Sequence, residues 1–335
     1  MNHVVFYETF EEEQAALKRH LPDAVTASFV KEPVHASGHA APPARLISIR
    51  TQSVIPKHWL PDLAGVLSRS SGFDHLQTLS GQSEGRVACG YLPLYCVRAV
   101  AEQALLMLLA LNRNLKGQLR QFNSFDRDNL TGTDCLNQKL LVLGVGNIGQ
   151  EVVHLARAVG MQVRGFDQER KLANLDYLSL EEGIRFAQSL VCTLPLTKQT
   201  LGLLDYALLK QARPGTVLIN LGRGEITPTA DLKRLLDERI LGGLGLDVFE
   251  EETDLSHALL TKRPPKKPSG QLVIDLKGRD NVLFTPHNAF NTRQAVERKA
   301  QQSGEAVTAF LKNGRFPQPI PNAALKNPAQ DYGTL

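Results

Sequence analysis

The chain has 335 residues, 42% apolar and 21% charged, with 38 Lys and Arg against 34 Asp and Glu and a formal net charge of +4. That length predicts about two domains, and the composition is that of an ordinary globular protein, which excludes disordered and fibrous classes. The densest basic stretch, Lys262-Arg263-Pro264-Pro265-Lys266-Lys267-Pro268, is proline-broken and lacks interleaved aromatics, so it reads as a solvated loop and not as a nucleic-acid surface.

The four cysteines, Cys89, Cys96, Cys135 and Cys192, show neither C-x-x-C pairs nor the His/Cys spacing of a zinc site, so no metal is expected and buried thiols in a reducing compartment are. No basic start with an apolar core and small-residue cleavage site is present. The longest apolar stretch, Ala104 to Leu111, has the length of a core helix and not of a membrane span. The expectation is a cytoplasmic protein with no membrane partner.

In chain order, Val4 to Tyr7, Arg45 to Ile49, Gly65 to Ser68 and Val87 to Cys89 are short apolar runs alternating with turn-rich or helical stretches, the pattern of a small α/β layer domain. Ala99 to Arg113 is a strongly apolar helix leading out of it. A polar connector, Asn123 to Asn137, precedes a second alternation that begins at Lys139-Leu140-Leu141-Val142-Leu143 and runs to about residue 288. Its strands are almost wholly apolar, as expected for a parallel sheet covered by helices on both faces. Ser179-Leu180-Glu181-Glu182 is a capping box, and Thr229 is expected to precede a helix with Leu232, Leu235, Leu236 and Ile240 at helical spacing. Arg293 to Asn313 is a further helix, ended near Gly314 and expected to cross back to the first domain. The expected organisation is a discontinuous substrate domain, residues 1–98 plus 290–335, and a dinucleotide-binding domain, residues 99–289.

Gly144-Val145-Gly146-Asn147-Ile148-Gly149 has the G-x-G-x-x-G form, which alone is weak. Here it follows a strand and opens a helix with Ile148, Val152, Leu155, Ala156 and Val159 on one face, and a second strand, Gln162 to Phe166, ends in Asp167. Gly144 allows the tight turn, Gly146 lets a pyrophosphate approach the backbone, and Gly149 lets the helix pack closely on the strand. Asp167 can accept both ribose hydroxyls of NAD and repel the extra phosphate of NADP, so NAD is favoured, with nearby Arg170 the one feature that favours NADP.

Three more segments follow apolar strands: Asn220-Leu221-Gly222-Arg223-Gly224 after Thr216 to Asn220, Asp247 to Glu252 after Gly243 to Leu246, and Thr285-Pro286-His287 after Asn281 to Phe284. Their side chains should emerge at one edge of one sheet, the edge where α/β sheets bind ligands. A cation that polarises a carbonyl, an imidazole that moves a proton and a carboxylate that orients the imidazole suit the reduction of a keto acid.

With these residues placed, the chain resembles the D-isomer-specific 2-hydroxyacid dehydrogenase family along nearly its whole length. The resemblance rests on Arg69 to Asp74, Ala99 to Glu102, the glycine fingerprint, Thr193-Leu194-Pro195-Leu196-Thr197, Asn220 to Gly224, Asp247 to Glu252 and Thr285 to Phe290. It implies two Rossmann-like domains with a cleft between them, a doubly wound parallel-sheet NAD-binding domain and a smaller flavodoxin-like substrate domain. It further implies that Arg223 binds the keto oxygen and carboxylate of the substrate, that His287 is the proton donor and acceptor, and that Glu252 orients His287, with Glu250 and Glu251 as rivals. Ser70, Ser71 and Gly72 would offer backbone amides to the substrate carboxylate. Gly144, Gly146, Asn147, Ile148, Gly149, Asp167, Thr193, Pro195 and Asp247 would line the cofactor, Asp247 holding the nicotinamide carboxamide. A homodimer is implied, joined through the helix from Ala99 and the connector after it. Departures from the family pattern fall at Tyr91 to Arg98, Gln103, Leu221-Gly222 and the long segment between Glu252 and His287, and they bear on substrate identity. The alternatives are an NADH-sensing regulatory protein, or a dehydrogenase of another small anion such as formate or phosphite.

Overall fold

A computed structural model describes residues 3–321 of the chain. It divides into two compact units, one built from the described residues up to Cys96 and from Thr292 onward, the other from Val97–Asn291. The outer ends of the expected first domain, residues 1–2 and 322–335, lie outside the described residues.

The first unit is a parallel five-stranded sheet of β1 (His3–Phe6), β2 (Thr26–Phe29), β3 (Leu46–Ile49), β4 (Gly65–Ser68) and β5 (Ala88–Gly90), in the order β2-β1-β3-β4-β5. That 2-1-3-4-5 order is flavodoxin-like. Alternate residues of the central strands face opposite ways, so Val5, Ile47, Ile49 and Val66 join one core with Trp59 and Leu76. The helix Arg293–Asn313 packs against the helix Glu11–His20 and against β4. Gly65 is required there, because a Cβ would lie 2.4 Å from the Phe310 ring. The helix ends at Gly314, whose φ of 68° supplies the left-handed cap.

The second unit is a parallel six-stranded sheet of β6 (Lys139–Leu143), β7 (Gln162–Phe166), β8 (Ser189–Cys192), β9 (Thr216–Asn220), β10 (Leu241–Leu246) and β11 (Val282–Phe284), ordered β11-β10-β9-β8-β6-β7. Tyr177 adds a single parallel bridge beside Gly165 on β7. The chain leaves β6 in one direction for β7 and returns on the other side for β8, so the topological switch point lies between β6 and β8. Apart from Lys139 at the start of β6, the central strands are buried along their length, which is why they read as almost wholly apolar runs.

Several boundaries differ from the sequence expectation. β2 was not anticipated: Thr26–Phe29 is an edge strand with alternating exposed and half-buried positions and only one large apolar residue. β10 starts at Leu241, because Gly242 and Gly243 form an irregularity inside the strand and not a turn before it. Thr229 does not precede its helix but is the first residue of Thr229–Asp237, and Ile240 lies beyond its end, past the left-handed Arg239. Val159 caps the helix Asn147–Ala158 from outside, and the buried face of that helix is Gly149, Val152, Val153 and Ala156. All four cysteines are buried free thiols.

Candidate active site

Because β9, β10 and β11 are neighbours in the sheet, the residues following them emerge side by side. After β9, fully buried Asn220 shapes the turn: its Oδ1 accepts the Gly222 N–H at 2.9 Å, and its Nδ2 donates to the Arg223 carbonyl at 2.8 Å and to Thr227 Oγ1 at 3.0 Å. Gly224 must be glycine, since a Cβ would lie 1.9 Å from the Phe249 carbonyl carbon. The half-buried Arg223 sits on this fixed turn with one guanidinium nitrogen donating to the Gly222 carbonyl at 2.9 Å.

The run after β10 carries four carboxylates, and the structure gives each a different place. Asp247 is 1% exposed, and its carboxylate accepts from Thr285 Oγ1 at 2.5 Å and from the N–H groups of Asn288 and Ala289 at 2.8 and 2.9 Å. Burial pushes its carboxyl above the ordinary value, and those hydrogen bonds pull the other way. Glu250 turns to the start of the helix Thr229–Asp237, accepting the Thr229 N–H at 3.1 Å, where the exposed amides of a helix N-terminus favour an anion. Glu251 is left-handed, with φ 53°, and half exposed, with Lys267 at 3.7 Å. Glu252 opens the helix Glu252–Thr261 and reaches His287: Oε1 lies 2.7 Å from Nδ1.

His287 follows β11 on a tight loop. Its φ of 49° is in the left-handed region, its N–H donates to the Thr285 carbonyl at 3.0 Å, and the next two amides are the pair held by Asp247. The loop is therefore fastened on both sides of the imidazole. His287 and Glu252 keep 25% and 20% of their side-chain surface exposed, so the pair is reachable from solvent. With Nδ1 facing Glu252, Nε2 is the ring nitrogen that can meet a reacting group.

The glycine turn lies at the switch point. Gly144 has φ 89°, its N–H donates to the Phe166 carbonyl at 2.8 Å, and its carbonyl accepts Thr193 Oγ1 at 2.7 Å. A Cβ on Gly149 would lie 1.9 Å from the Gly144 oxygen, so the helix can approach β6 only with glycine there. A Cβ on Gly146 would meet nothing within 4 Å, which leaves the turn open on the side that a pyrophosphate must approach. The first backbone bond of the helix is from Gln150 to Gly146, so the amides of Asn147, Ile148 and Gly149 precede the intrahelical ladder. These residues fit a dinucleotide. Asp167 accepts the Val145 N–H at 2.6 Å and the Glu169 N–H at 3.0 Å, binding the end of β7 to the glycine turn. Arg170 lies over the Tyr177 ring at 6.0 Å. The Pro195 carbonyl accepts Thr200 Oγ1 at 2.6 Å, folding the loop after β8.

Ser70, Ser71 and Gly72 belong to the other unit and follow β4. Ser70 is 8% exposed, receives or donates a 2.6 Å hydrogen bond with Ser68 and donates to the Gly72 carbonyl at 2.7 Å, so the loop closes on itself and its shape is set by its own hydroxyls.

Sequence reasoning missed Asn220 and Thr285 as builders of the loops, and assigned Asp247 a cofactor contact without its loop contacts. Asn220 had a readable signal: an asparagine two residues before a glycine is an Asx-turn pattern. The partners of Thr285 and Asp247 are 38 residues apart and left none.

Transferring hydride to and from a dinucleotide is the chemistry such a sheet edge suits, and at the level of class the comparisons agree: residues 105–289 match the family model for the D-isomer specific 2-hydroxyacid dehydrogenase, NAD binding domain. The chain is thus an oxidoreductase whose cofactor is NAD. It belongs to the D-isomer specific 2-hydroxyacid dehydrogenase family. It is 27% identical over 240 residues to the D-specific alpha-keto acid dehydrogenase of Enterococcus faecium, covering 71% of this chain and 73% of that protein. It is 28% identical over 265 residues to the D-lactate dehydrogenase of Escherichia coli (strain K12), covering 75% and 77%. The crystal structure of D-lactate dehydrogenase from Aquifex aeolicus complexed with NAD and lactic acid is similar at a TM-score of 0.82 and 26% identity, over 93% of this chain and 96% of that one. D-2-hydroxyisocaproate dehydrogenase shares the fold, at a TM-score of 0.80 and 23% identity over 95% and 99%. Among the described residues no helix is long and apolar enough to cross a membrane.

Proposed function

We propose that this enzyme interconverts a small 2-keto acid and its D-2-hydroxy acid, with Arg223, His287 and Glu252 as its catalytic residues. The observation that carries the reading is the 2.7 Å contact between Glu252 Oε1 and His287 Nδ1 on adjacent strand ends. Bound NADH supplies the hydride. Arg223 holds the keto oxygen and the carboxylate, a task for which a guanidinium's planar fork of donors is suited. His287 gives a proton from Nε2 to the oxygen as its negative charge develops, and takes it back in the reverse direction. Glu252 fixes the ring and offsets the charge of the imidazolium, while Glu250 and Glu251 are occupied elsewhere. Ser70, Ser71 and Gly72 receive the substrate carboxylate, and Gly144, Gly146, Asn147, Ile148, Gly149, Asp167, Thr193, Pro195 and Asp247 form the cofactor site.

The enzyme acts in the cytoplasm as a homodimer. Supporting a second copy as partner, Leu106, Leu109, Leu115, Leu119, Phe122, Phe125 and Leu136 are exposed along the helix Val97–Asn112 and the segment after it, more apolar surface than isolated side chains explain. NADH oxidation against a panel of 2-keto acids tests the activity. NADH consumption with at least one keto acid is expected, and no NADH formation from NAD with formate or phosphite as hydride donor. NADH binding with no turnover on any keto acid would leave the sensor reading standing instead. Light scattering on the purified protein at twice the monomer mass tests the dimer.

A further inference from the structure

Behind the Ser70-Ser71-Gly72 loop lies a charged cluster that the proposed chemistry does not use. Glu13, Arg69 and Lys299 are each 0% exposed. One oxygen of Glu13 accepts a hydrogen bond from Arg69 Nε at 2.9 Å and forms an ion pair with Lys299 Nζ at 2.7 Å. Arg69, the residue directly before the loop, also donates to Ser48 Oγ at 3.0 Å and to the Tyr7 carbonyl at 2.6 Å, so its position is over-determined. Lys299 comes from the helix Arg293–Asn313 and lies against the rings of Phe10 and Tyr95, at 5.0 and 5.6 Å. Cys96, next to Tyr95, reaches Ser71 Oγ at 3.8 Å. The cluster therefore connects to the loop through Arg69 at its start and through Cys96 at Ser71. Two cations share one carboxylate, which leaves a surplus positive charge that water does not screen.

We propose that the buried ammonium of Lys299 tunes the affinity of the Ser70-Ser71-Gly72 loop for the substrate carboxylate, acting through the charge surplus of the Glu13-Arg69-Lys299 cluster and without touching the substrate. The proposal rests on the reading of that loop as the carboxylate site. Burial pulls the Lys299 ammonium down to about 7, against the pull of Glu13, and the cations Arg50 and Arg69 push the same way as burial. Glu13 is held down at about 2, since the attraction of Arg69, Lys299 and Arg50 together outweighs the burial that would raise it. Burial raises Tyr95 and Cys96, which stay neutral. Within the pair, Glu13 keeps its charge near neutral pH and Lys299 loses its own. Its deprotonation cancels the surplus, and an anion docked at the loop is then held less tightly.

The test is Lys299→Met, which keeps the length and bulk of the stem and removes the charge. At saturating NADH, the KM of the wild type for the best keto acid should rise by roughly three- to tenfold as pH increases through 7, the size of a partly screened charge interaction. In Lys299→Met the KM should be raised already at about pH 6, and this limb should be absent, with kcat moving less than KM. His75, which shares Ser68 with Ser70, and His287 are unchanged in the variant, so their contribution is common to both profiles. Thermal unfolding gives a second readout. A lysine with a lowered folded pKa leaves the unfolded chain binding more protons between about 7 and 10, so wild-type stability should rise with pH across that window relative to the variant. Superimposed KM profiles in two active proteins, or parallel stability curves, would overturn the proposal while leaving the enzyme's function intact. A wild type that reduces no keto acid would sink the functional reading first.

Discussion

Asp247→Asn separates two tasks that the same carboxylate could have. In the structure it is a buried clasp: three donors from the loop after β11 converge on it, and His287 sits inside the loop they hold. Asparagine keeps one acceptor oxygen and replaces the other with a donor that faces backbone N–H groups, so at least one buried amide loses its partner. That costs about 1–3 kcal/mol, the lower part of the range being expected because burial of the ionised carboxylate is itself unfavourable. For a unit of this size the cost corresponds to a drop in Tm of roughly 2–10 °C. A looser loop misplaces Nε2, and since a displacement of about 1 Å can cost two orders of magnitude in rate, kcat should fall by about 10- to 100-fold. Calorimetry, steady-state kinetics and NADH titration monitored by fluorescence together resolve the case. Lower Tm and kcat support the clasp, and any accompanying loss of NADH affinity measures the cofactor contact proposed for the same carboxylate. Wild-type Tm and kcat would refute it, and a large loss of NADH affinity alone would assign the carboxylate to the nicotinamide.

His287→Ala should lower kcat by about 10²- to 10⁴-fold with NADH affinity intact in the same titration, because it deletes the proton donor and no part of the nucleotide turn. Glu252→Gln takes away the negative charge that faces the imidazole at 2.7 Å and should lower kcat, whereas Glu250→Gln should instead lower Tm by weakening the start of the helix Thr229–Asp237 and leave kcat in place. Asp167→Ala should narrow the preference for NADH over NADPH, expected at about 1–3 kcal/mol in the wild type, and also weaken NADH binding because the Val145 amide loses its acceptor; equal efficiency of the two cofactors in the wild type would contradict the role given to Asp167.

How far the sequence was legible depended on the range of the interaction. β6, β7 and β9 begin and end where their apolar runs do, and the Ser179 capping box forms with both of its hydrogen bonds, because these signals are local. β2 was hidden: an edge strand half in solvent needs only two sides' worth of weak burial, and Thr-Ala-Ser-Phe carries no alternation strong enough to see. β10 was expected only from Gly243, but it already begins at Leu241, and the Gly242 backbone packs against Gly215 with no room for a side chain. The choice of Glu252 over Glu250 and Glu251 came from the family resemblance, which places the glutamate five residues after the aspartate, since three consecutive carboxylates differ otherwise only in which distant group each one meets. Lys299 is the extreme case: within a run of polar residues on a long helix it looks like solvated surface, and only the folded unit puts Glu13 against it.

The helix Glu252–Thr261 is framed at both ends by residues in the left-handed region, Glu251 at φ 53° and Lys262 at φ 55°. Meanwhile β10 and β11 are locked in register from Leu244 opposite Val282 to Leu246 opposite Phe284. The sheet thus holds Glu252 and His287 together independently of the chain that runs out and back between them. The mostly exposed turn between this helix and the helix Pro268–Leu276 is a natural graft site: because closing a longer loop costs only slowly more entropy, segments of quite different length could enter there while the buried Leu255, Val273 and Leu276 keep both helices on the core. Specificity elements or regulatory modules could enter the enzyme there without any change to the residues that carry its chemistry.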